Sequence, residues 1–215
     1  MAGAEVFELR DGTVRFVERL FSTAENERWF TALRDGTRWR QEEIRLFGRK
    51  RRQPRLTAWH GDPGAAYSYS GIRLDPEPWT PDLLGVKARI EAISGVRFNC
   101  VLLNYYRDGQ DSMGWHSDDE PELGENPLIG SVSLGAARRF RMRHKADPRM
   151  QMAWNLRGGS YLEMGGALQR HWRHCVPKMA SKTGVGPRIN LTFRRISPNG
   201  AMPQTNKKMV AGRTR

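Results

Sequence analysis

Four segments between residues 98 and 194 alternate between apolar and polar residues, and this period of two constrains the fold more than any other feature. Successive side chains of a β-strand point to opposite faces, so alternation is typical of a strand with one face in the core. The segments are 98–106, 139–144, 158–164 and Arg188–Arg194. Turns that are rich in glycine or contain proline separate them, and the sequence therefore predicts a core built from sheet.

Two helices are predicted before these strands. The first covers 22–34, because Ser22 and Glu25 have the spacing of a capping box and Gly36 supplies a stop signal. The second follows Pro81 and is capped by Gly95. Their apolar faces are Trp29, Phe30 and Leu33 in the first helix and Leu83, Val86, Ile90 and Ile93 in the second. Everything after the second helix is predicted to be strand, so the fold class is mainly β with flanking helices (α+β).

Charge indicates the kind of partner. The chain has 36 Lys and Arg against 23 Asp and Glu, a formal net charge of +13, which attracts phosphate or an anionic membrane. No run approaches the roughly 18 apolar residues of a spanning helix, and the first residues do not read as a secretory signal. We therefore expect nucleic acid as partner, no membrane, and a cytoplasmic protein, associated with the nucleoid if it is bacterial. A soluble surface that is merely basic is the alternative.

Composition also predicts the limits of the folded part. Residues 197–215 are polar and basic with almost no large apolar side chain, which predicts a disordered tail. Residues 1–196 are predicted to form a single domain. Cys100 and Cys175 lie far apart and in no CxxC pair, so both are interpreted as buried thiols.

The triplet of His116, Ser117 and Asp118 is a candidate metal site. In an extended segment its imidazole and carboxylate point to the same side, and a histidine from elsewhere would complete a facial triad of two histidines and one carboxylate for Fe(II). Asp119 and Glu120 follow directly and make the segment an acidic cluster. Two alternatives remain: an ordinary polar turn, since such triplets arise by chance, and a solvated acidic loop.

The third ligand would be His171 or His174. Three residues apart on an extended stretch, they point to opposite faces, so only one can reach the metal. Trp172 shares a face with His174, which favours His174 as the inward residue and leaves His171 outside. His60 and His144 have no comparable neighbours and are interpreted as structural or surface residues.

The segment Arg188–Arg194 is a candidate wall for an anion pocket. One face carries two guanidinium groups, an amide and a hydroxyl, and arginine binds carboxylates through two parallel hydrogen bonds. The residues of this face are Arg188, Asn190, Thr192 and Arg194; Asn104 and Tyr106 share a face on the strand before the triplet. Six residues of strand span roughly 20 Å, more than the length of a small dicarboxylate. If one arginine does not contact the ligand, we expect it to be Arg194, holding Asp118 or the nearer carboxylate. The alternative is an amphipathic strand with its polar face in water.

Together these motifs closely resemble the AlkB family of dealkylating dioxygenases, in particular its animal-type DNA-repair branch. The resemblance covers residues 48–196 and includes Pro54-Arg55, Gly61-Asp62, Tyr67-Ser68-Tyr69-Ser70-Gly71, Asn104-x-Tyr106-Arg107-Asp108-Gly109, Ser131-Val132-Ser133-Leu134-Gly135 and Pro187 through Arg194, beside the three candidate metal ligands. It implies a double-stranded β-helix, or jelly roll, with a nucleotide-recognition lid at about residues 46–71.

The resemblance also implies the co-substrates and the residues that hold them. His116, Asp118 and His174 would bind Fe(II), with 2-oxoglutarate and O2 as co-substrates. Arg188 would pair with the distal carboxylate of 2-oxoglutarate. The pocket around that ligand would be lined by Asn104, Tyr106, Asn190, Thr192 and Arg194.

A third set of residues is expected to contact the nucleic acid. Tyr67, Tyr69 and Ser70 would belong to the lid, with Tyr69 and the ring of His116 on either side of a flipped base; strand packing is the alternative for the tyrosines. Asp119 and Glu120 would face a base that is cationic when methylated. Phe47 would wedge into the base stack while Arg49, Lys50, Arg51 and Arg52 hold phosphates; a solvated hairpin is the alternative. Arg55 is also expected to contact the substrate.

The implied reaction is oxidative dealkylation of N-alkylated bases, such as 1-methyladenine and 3-methylcytosine, in DNA. It would release formaldehyde and convert 2-oxoglutarate to succinate. Two alternatives remain open: the same chemistry on methylated RNA or a protein side chain, and a nucleic-acid-binding jelly roll whose histidines are inert. No obligate protein partner is evident from the sequence.

Overall fold

The computed structural model describes residues 3–46, 49–65, 67–69, 72–180 and 184–196, without the side chains of residues 44–49 and 66–74. The strands are β1 (Glu5–Leu9), β2 (Gly12–Val17), β3 (Glu43–Leu46), β4 (Arg49–Arg52), β5 (Leu56–Gly61), β6 (Tyr67–Tyr69), β7 (Ile72–Leu74), β8 (Cys100–Tyr106), β9 (Met113–His116), β10 (Ile129–Gly135), β11 (Arg138–His144), β12 (Gln151–Leu156), β13 (Tyr161–Gly166), β14 (Trp172–Val176) and β15 (Arg188–Arg194). The helices are α1 (Thr23–Gly36), α2 (Pro81–Ser94) and α3 (Leu168–His171), with a single 3-10 turn at Pro121–Leu123.

Two antiparallel sheets make up the core. The larger sheet has seven strands in the order β1-β2-β13-β10-β15-β8-β5, and the smaller has four in the order β12-β11-β14-β9. One apolar cluster joins Leu102 and Leu162 of the large sheet to Phe140 and Trp154 of the small one, so the two sheets face each other. This is the predicted jelly roll, mainly β with flanking helices.

α1 and α2 cover the other face of the large sheet. A second apolar cluster packs Trp29 of α1 and Ile90 of α2 against Leu103 and Leu191 of the sheet. Alternation explains the division: on β15 the apolar residues face the helices, and every polar residue of the strand faces the small sheet, still buried. The alternative of a polar face in water is therefore wrong.

Both predicted helices are confirmed, with small differences at their ends. The Ser22 hydroxyl accepts from the Glu25 amide and the Glu25 carboxylate accepts from the Ser22 amide, which is the predicted capping box. Gly36 lies inside α1, and Thr37 ends it. α2 begins at Pro81, where a missing N–H costs nothing, and Gly95 caps it at a φ of +70°.

Two sequence predictions were wrong or incomplete. The stretch after Gly95 is not all strand, because α3 and the 3-10 turn interrupt it. Before α2, strand was considered only as an alternative, as a hairpin near Arg49 and as strand packing for Tyr67 and Tyr69, and the other strands there were not predicted. β5, for example, is buried on both faces over most of its length, so it shows no alternation.

Some predictions stay predictions. Within the lid region, β3 pairs with β4 and β6 with β7 as two short antiparallel hairpins. Residues 197–215 lie outside the described residues, so the predicted tail and the extent of the domain stay predictions. The described part of the chain contains no helix that is long and apolar enough to span a membrane. Cys100 and Cys175 are both buried free thiols, as predicted.

Candidate active site

A cavity with about 530 Å³ of empty space, its open mouth included, lies between the two sheets. Residues of β8, β10, β13 and β15 line it from the large sheet, and residues of β9, β11 and β14 from the small one. Arg188 stands at one end of the β15 wall and Arg194 at the other. The predicted metal site and the predicted anion site therefore lie in the same cavity.

His116, Asp118 and His174 meet in this cavity. His116 ends β9, and the register places it directly opposite His174 on β14. Asp118 Oδ1 lies 4.0 Å from His116 Nε2, and its Oδ2 lies 3.9 Å from His174 Nε2. One possible ligand atom from each residue lies within 4.8 Å of the other two, which is close enough for all three to coordinate one metal ion.

Hydrogen bonds orient these groups toward a metal. Nδ1 of His116 lies 2.9 Å from the Gly114 carbonyl oxygen, which can only accept, so Nδ1 carries the proton and Nε2 has a free lone pair. Arg194 Nη2 donates to Asp118 Oδ1 at 2.8 Å, and the Asp118 amide donates to the Gln169 side chain. The donor set and its supporting bonds fit an Fe(II) ion with open positions for further ligands.

Burial and charge keep the three groups deprotonated at neutral pH. Burial alone would raise the pKa of Asp118, but Arg194 and the two imidazoles outweigh it and lower that pKa to about 2. Burial, with the charge of His116, lowers the pKa of His174 to about 3, and burial also lowers the pKa of His116. A metal ion would thus displace no protons when it binds near pH 7.

The opposite end of the cavity holds a buried cation. Arg188 is 1% exposed, and burial lowers its pKa to about 10, so it remains charged at neutral pH. Nη2 donates to Ser133 Oγ at 2.9 Å, and the ring of Tyr106 lies 5.3 Å from the guanidinium carbon. Its Nε and Nη1 are buried and have no hydrogen-bond partner among the described residues. These two donors fit a carboxylate of a dicarboxylate ligand.

Polar side chains connect the two ends. Asn190 Nδ2 donates to Ser131 Oγ at 2.8 Å, and Thr192 Oγ1 donates to Asn190 Oδ1 at 3.0 Å. Arg55 Nε donates to Asn104 Oδ1 at 2.7 Å, which places Arg55, expected to contact nucleic acid, in the cavity wall. These bonds fix the polar wall before any ligand binds.

Other predicted contacts lie outside the cavity lining. Asp119 is exposed, and its Oδ2 accepts from Lys145 Nζ at 3.2 Å; neither it nor Glu120 lines the cavity. Arg51 and Arg52 are exposed on β4. Phe47 and Ser70 lie outside the described residues, as do the side chains of Arg49, Tyr67 and Tyr69. Their roles stay predictions.

Two histidine interpretations need correction. His171 lies outside the cluster of His116, Asp118 and His174, as expected, but at the end of α3 rather than on an extended stretch. With Asp11 and His144 it forms a second group whose possible ligand atoms lie within 4.8 Å of one another. His144, for which no relevant neighbours were predicted, has two: its Nε2 lies 2.9 Å from Asp11 Oδ2, and its ring stacks on that of His171. The amides of Ala146 and residue 147 donate to Nδ1 of His144, so Nε2 carries the proton and donates to Asp11. That arrangement ties the β1–β2 turn to β11.

Sequence reasoning missed several residues that line or support the cavity. Ser131 and Ser133 lie on β10 beside β15 and hold Asn190 and Arg188. Their spacing of two was a signal, because it puts both hydroxyls on one face. Gln169 is buried beneath Asp118, and it lies on α3, where strand was predicted, so nothing in the sequence placed it there.

The jelly roll, with two histidines and a carboxylate at one end of its cavity and a buried arginine at the other, places the chain in the 2OG-Fe(II) oxygenase superfamily. Residues 13–194 match the family model of the 2OG-Fe(II) oxygenase superfamily. Within that class, the chain belongs to the AlkB family. It is 39% identical over 189 residues, 83% of this chain and 78% of the relative, to the DNA oxidative demethylase ALKBH2 of Mus musculus.

Other relatives agree. The alpha-ketoglutarate-dependent dioxygenase alkB homolog 3 of Mus musculus is 46% identical over 156 residues, 68% of this chain and 53% of the relative. This chain thus spans about half the length of that relative. The structure titled "The structure of OsALKBH1" superposes with a TM-score of 0.61 at 19% identity, covering 89% of this chain and 100% of the other. At that identity the likeness supports the fold.

Proposed function

We propose that this protein removes alkyl groups from N-alkylated bases, such as 1-methyladenine and 3-methylcytosine, in DNA. The observation that carries the proposal is the cavity itself, which joins a three-ligand metal cluster to a buried arginine with two free donors. Such a pair of sites suits Fe(II) and a dicarboxylate bound next to each other. The relative named DNA oxidative demethylase supports the choice of substrate.

The chain's own residues would bind and orient the reactants. His116, Asp118 and His174 would hold the metal, and Arg188 would hold the far carboxylate of 2-oxoglutarate. With O2, the bound iron and 2-oxoglutarate would supply the oxidation of the alkyl C–H bond and leave succinate and carbon dioxide. A hydroxymethyl group on nitrogen then loses formaldehyde, so the chain needs no base to activate water. Its contribution is placement and exclusion of solvent.

The substrate contacts are part of the same proposal. A base methylated at adenine N1 or cytosine N3 is cationic, and Asp119 and Glu120 directly follow the ligand Asp118, so their charges would attract it. Asp119 would first have to leave Lys145. Tyr67, Tyr69 and Ser70 would close over the base, and the basic residues of the β3–β4 hairpin would contact phosphates, joined by Phe47 in the base stack.

The direct test is mass spectrometry of an oligonucleotide that carries one 1-methyladenine, incubated with the protein, Fe(II), 2-oxoglutarate and air. We expect loss of the methyl group in the complete mixture and none without 2-oxoglutarate. His174→Ala should abolish the reaction. His171→Ala is the matched control, because that histidine lies three residues away and outside the metal cluster, and it should retain activity.

Each other outcome identifies an alternative. Succinate formed without demethylation would move the substrate to RNA or a protein side chain. Tight nucleic-acid binding with no succinate, and with full binding by His116→Ala, would favour the binding module with inert histidines.

A further inference from the structure

The outer face of the small sheet carries four arginines. β11 alternates strictly, with Phe140 and Met142 buried against the cavity and Arg139, Arg141 and Arg143 on the opposite face. Arg173 of the neighbouring strand β14 is exposed on that same outer face. We call these four arginines and Trp115 of β9 the arginine face.

These charges have no carboxylate counterpart in the described part of the chain. None of the four arginines forms an ion pair with a carboxylate of the described residues. Moreover, the β11–β14 register sets Arg143 directly opposite Arg173, and like charges across a strand pair are destabilising. A folded surface that concentrates cations at the expense of stability indicates an anionic partner.

Trp115 holds two of these arginines in place. The guanidinium carbon of Arg143 lies 4.2 Å from the centroid of the indole, and that of Arg141 lies 5.6 Å from it. β14 separates β9 from β11, so both side chains reach across it to one aromatic ring. Cation–π contact restrains the two guanidiniums side by side, which preorganises them for a single anion. The Gln151 side chain accepts from Arg141 at 3.2 Å and adds no negative charge.

We propose that Arg141 and Arg143, braced by Trp115, form a clamp for phosphodiester groups of the nucleic-acid strand whose base enters the cavity. Trp115 directly precedes His116, and alternation turns the two side chains to opposite faces of β9. The clamp is thus fixed to the same strand as a candidate metal ligand, which favours a nucleic acid over an unrelated acidic partner. This inference rests on the proposed function for the identity of the strand, and Trp115 acts in it as a positioning residue.

The test measures binding of an unmodified, fluorescently labelled single-stranded oligonucleotide to the full chain by anisotropy across a salt series, without iron or 2-oxoglutarate. Losing two phosphate contacts in the double variant Arg141→Gln, Arg143→Gln should reduce the slope of log affinity against log salt by about 1.4. The matched control removes the same charge by Arg28→Gln and Arg38→Gln, both exposed and on or just after α1, which covers the far side of the large sheet. The control should keep the wild-type slope.

Variants of Trp115 test whether this residue positions the two arginines or only supports the fold. Trp115→Ala should weaken binding several-fold at constant net charge, and Trp115→Phe should restore most of it because a ring face remains. Equal slopes for the clamp and control variants would overturn the proposal. So would displacement of the oligonucleotide by polyglutamate as effectively as by unlabelled oligonucleotide of equal charge. Binding is measured here without catalysis. If the double variant shows the reduced salt slope but the wild type shows no demethylation, the proposed reaction is contradicted and the clamp proposal is not.

Discussion

The carboxylate of Asp118 is held by the guanidinium of Arg194, with Nη2 2.8 Å from Oδ1 and both side chains 2% exposed. The remaining Asp118 oxygen, Oδ2, lies near His174. Arg194 thus fixes the carboxylate in the orientation that a metal would need and stabilises its charge where water cannot. The two arginines of β15 therefore have different roles. Arg194 binds a protein carboxylate, whereas two buried N–H donors of Arg188 have no partner among the described residues.

Removing this arginine should weaken metal binding. Arg194→Met keeps the apolar bulk but leaves a buried carboxylate without its cation, which should cost about 3–5 kcal/mol of stability. Loss of a group that orients a metal ligand should lower metal affinity about 10- to 100-fold. Cobalt(II) titration followed by absorbance, with chemical unfolding alongside, measures both effects. Arg195→Met is the control, because that side chain is exposed and one residue away. Equal cobalt affinity in the two variants would show that Arg194 does not orient the ligand.

The row of polar residues on β15 could be predicted because its period of two is unbroken. The sequence also indicated that Arg188 and Arg194 could both reach one small ligand only if the strand curved or the side chains leaned inward. If one of them did not contact the ligand, Arg194 was expected to hold Asp118 or the nearer carboxylate. It could not indicate that Ser133 would complete the wall beside Arg188, since strand order in a sheet depends on long-range pairing.

The buried charge of Arg188 should lower the free energy of unfolding of the ligand-free protein. Its guanidinium is buried with two donors unused, so Arg188→Met should raise the free energy of unfolding of the ligand-free protein by about 1–3 kcal/mol. The same change should abolish the stabilisation that 2-oxoglutarate gives the wild type, which at 100 times the dissociation constant is about 2.7 kcal/mol. Thermal unfolding with and without 2-oxoglutarate checks both signs. A variant that is less stable without ligand, or that still gains stability from 2-oxoglutarate, would contradict the assignment.

Gly135 should be needed to place Arg188. It pairs directly with Arg188 and has a φ of +82°, and a Cβ there would lie 2.6 Å from the Pro187 carbonyl oxygen. Gly135→Ala should therefore cost about 3 kcal/mol of stability and weaken 2-oxoglutarate binding as the strand end shifts. Gly186→Ala is the control, because its φ is ordinary and the nearest atom lies 3.8 Å away. Similar unfolding midpoints for both variants would show that the strand end tolerates the side chain.

The histidines show where local pattern fails. Trp172 correctly indicated the inward face for His174, because the two residues share one strand, β14. His144 and His171 come together with Asp11 only because α3 interrupts the predicted strand and the β1–β2 turn folds over β11. Asp11 lies in that turn with a φ of +70°, which no alternation pattern can indicate. Contacts between distant turns depend on the closed fold.

The metal-free protein should lose stability on acidification, and His174 should account for a defined part of that loss. Its pKa falls from the usual 6.5 to about 3 on folding, because burial disfavours the charged ring. Between those values only the unfolded chain binds the proton, so the stability is complete above pH 6.5 and decreases as the pH falls toward 3. At full slope one such group removes about 1.4 kcal/mol per pH unit. Asp118, with a pKa of about 2, contributes only below its unfolded value of 3.8.

Chemical unfolding in EDTA at pH 7.0, 6.0 and 5.0 tests this assignment through the slope of stability against pH. His174→Gln cannot take up the proton, so its unfolding free energy should fall by about 2 kcal/mol less than that of the wild type between pH 7 and 5. The slope rather than the absolute stability is compared, because losing the imidazole also changes packing. Parallel curves for the wild type and His174→Gln would mean that the ring of His174 is already protonated, or freely hydrated, in the folded metal-free protein.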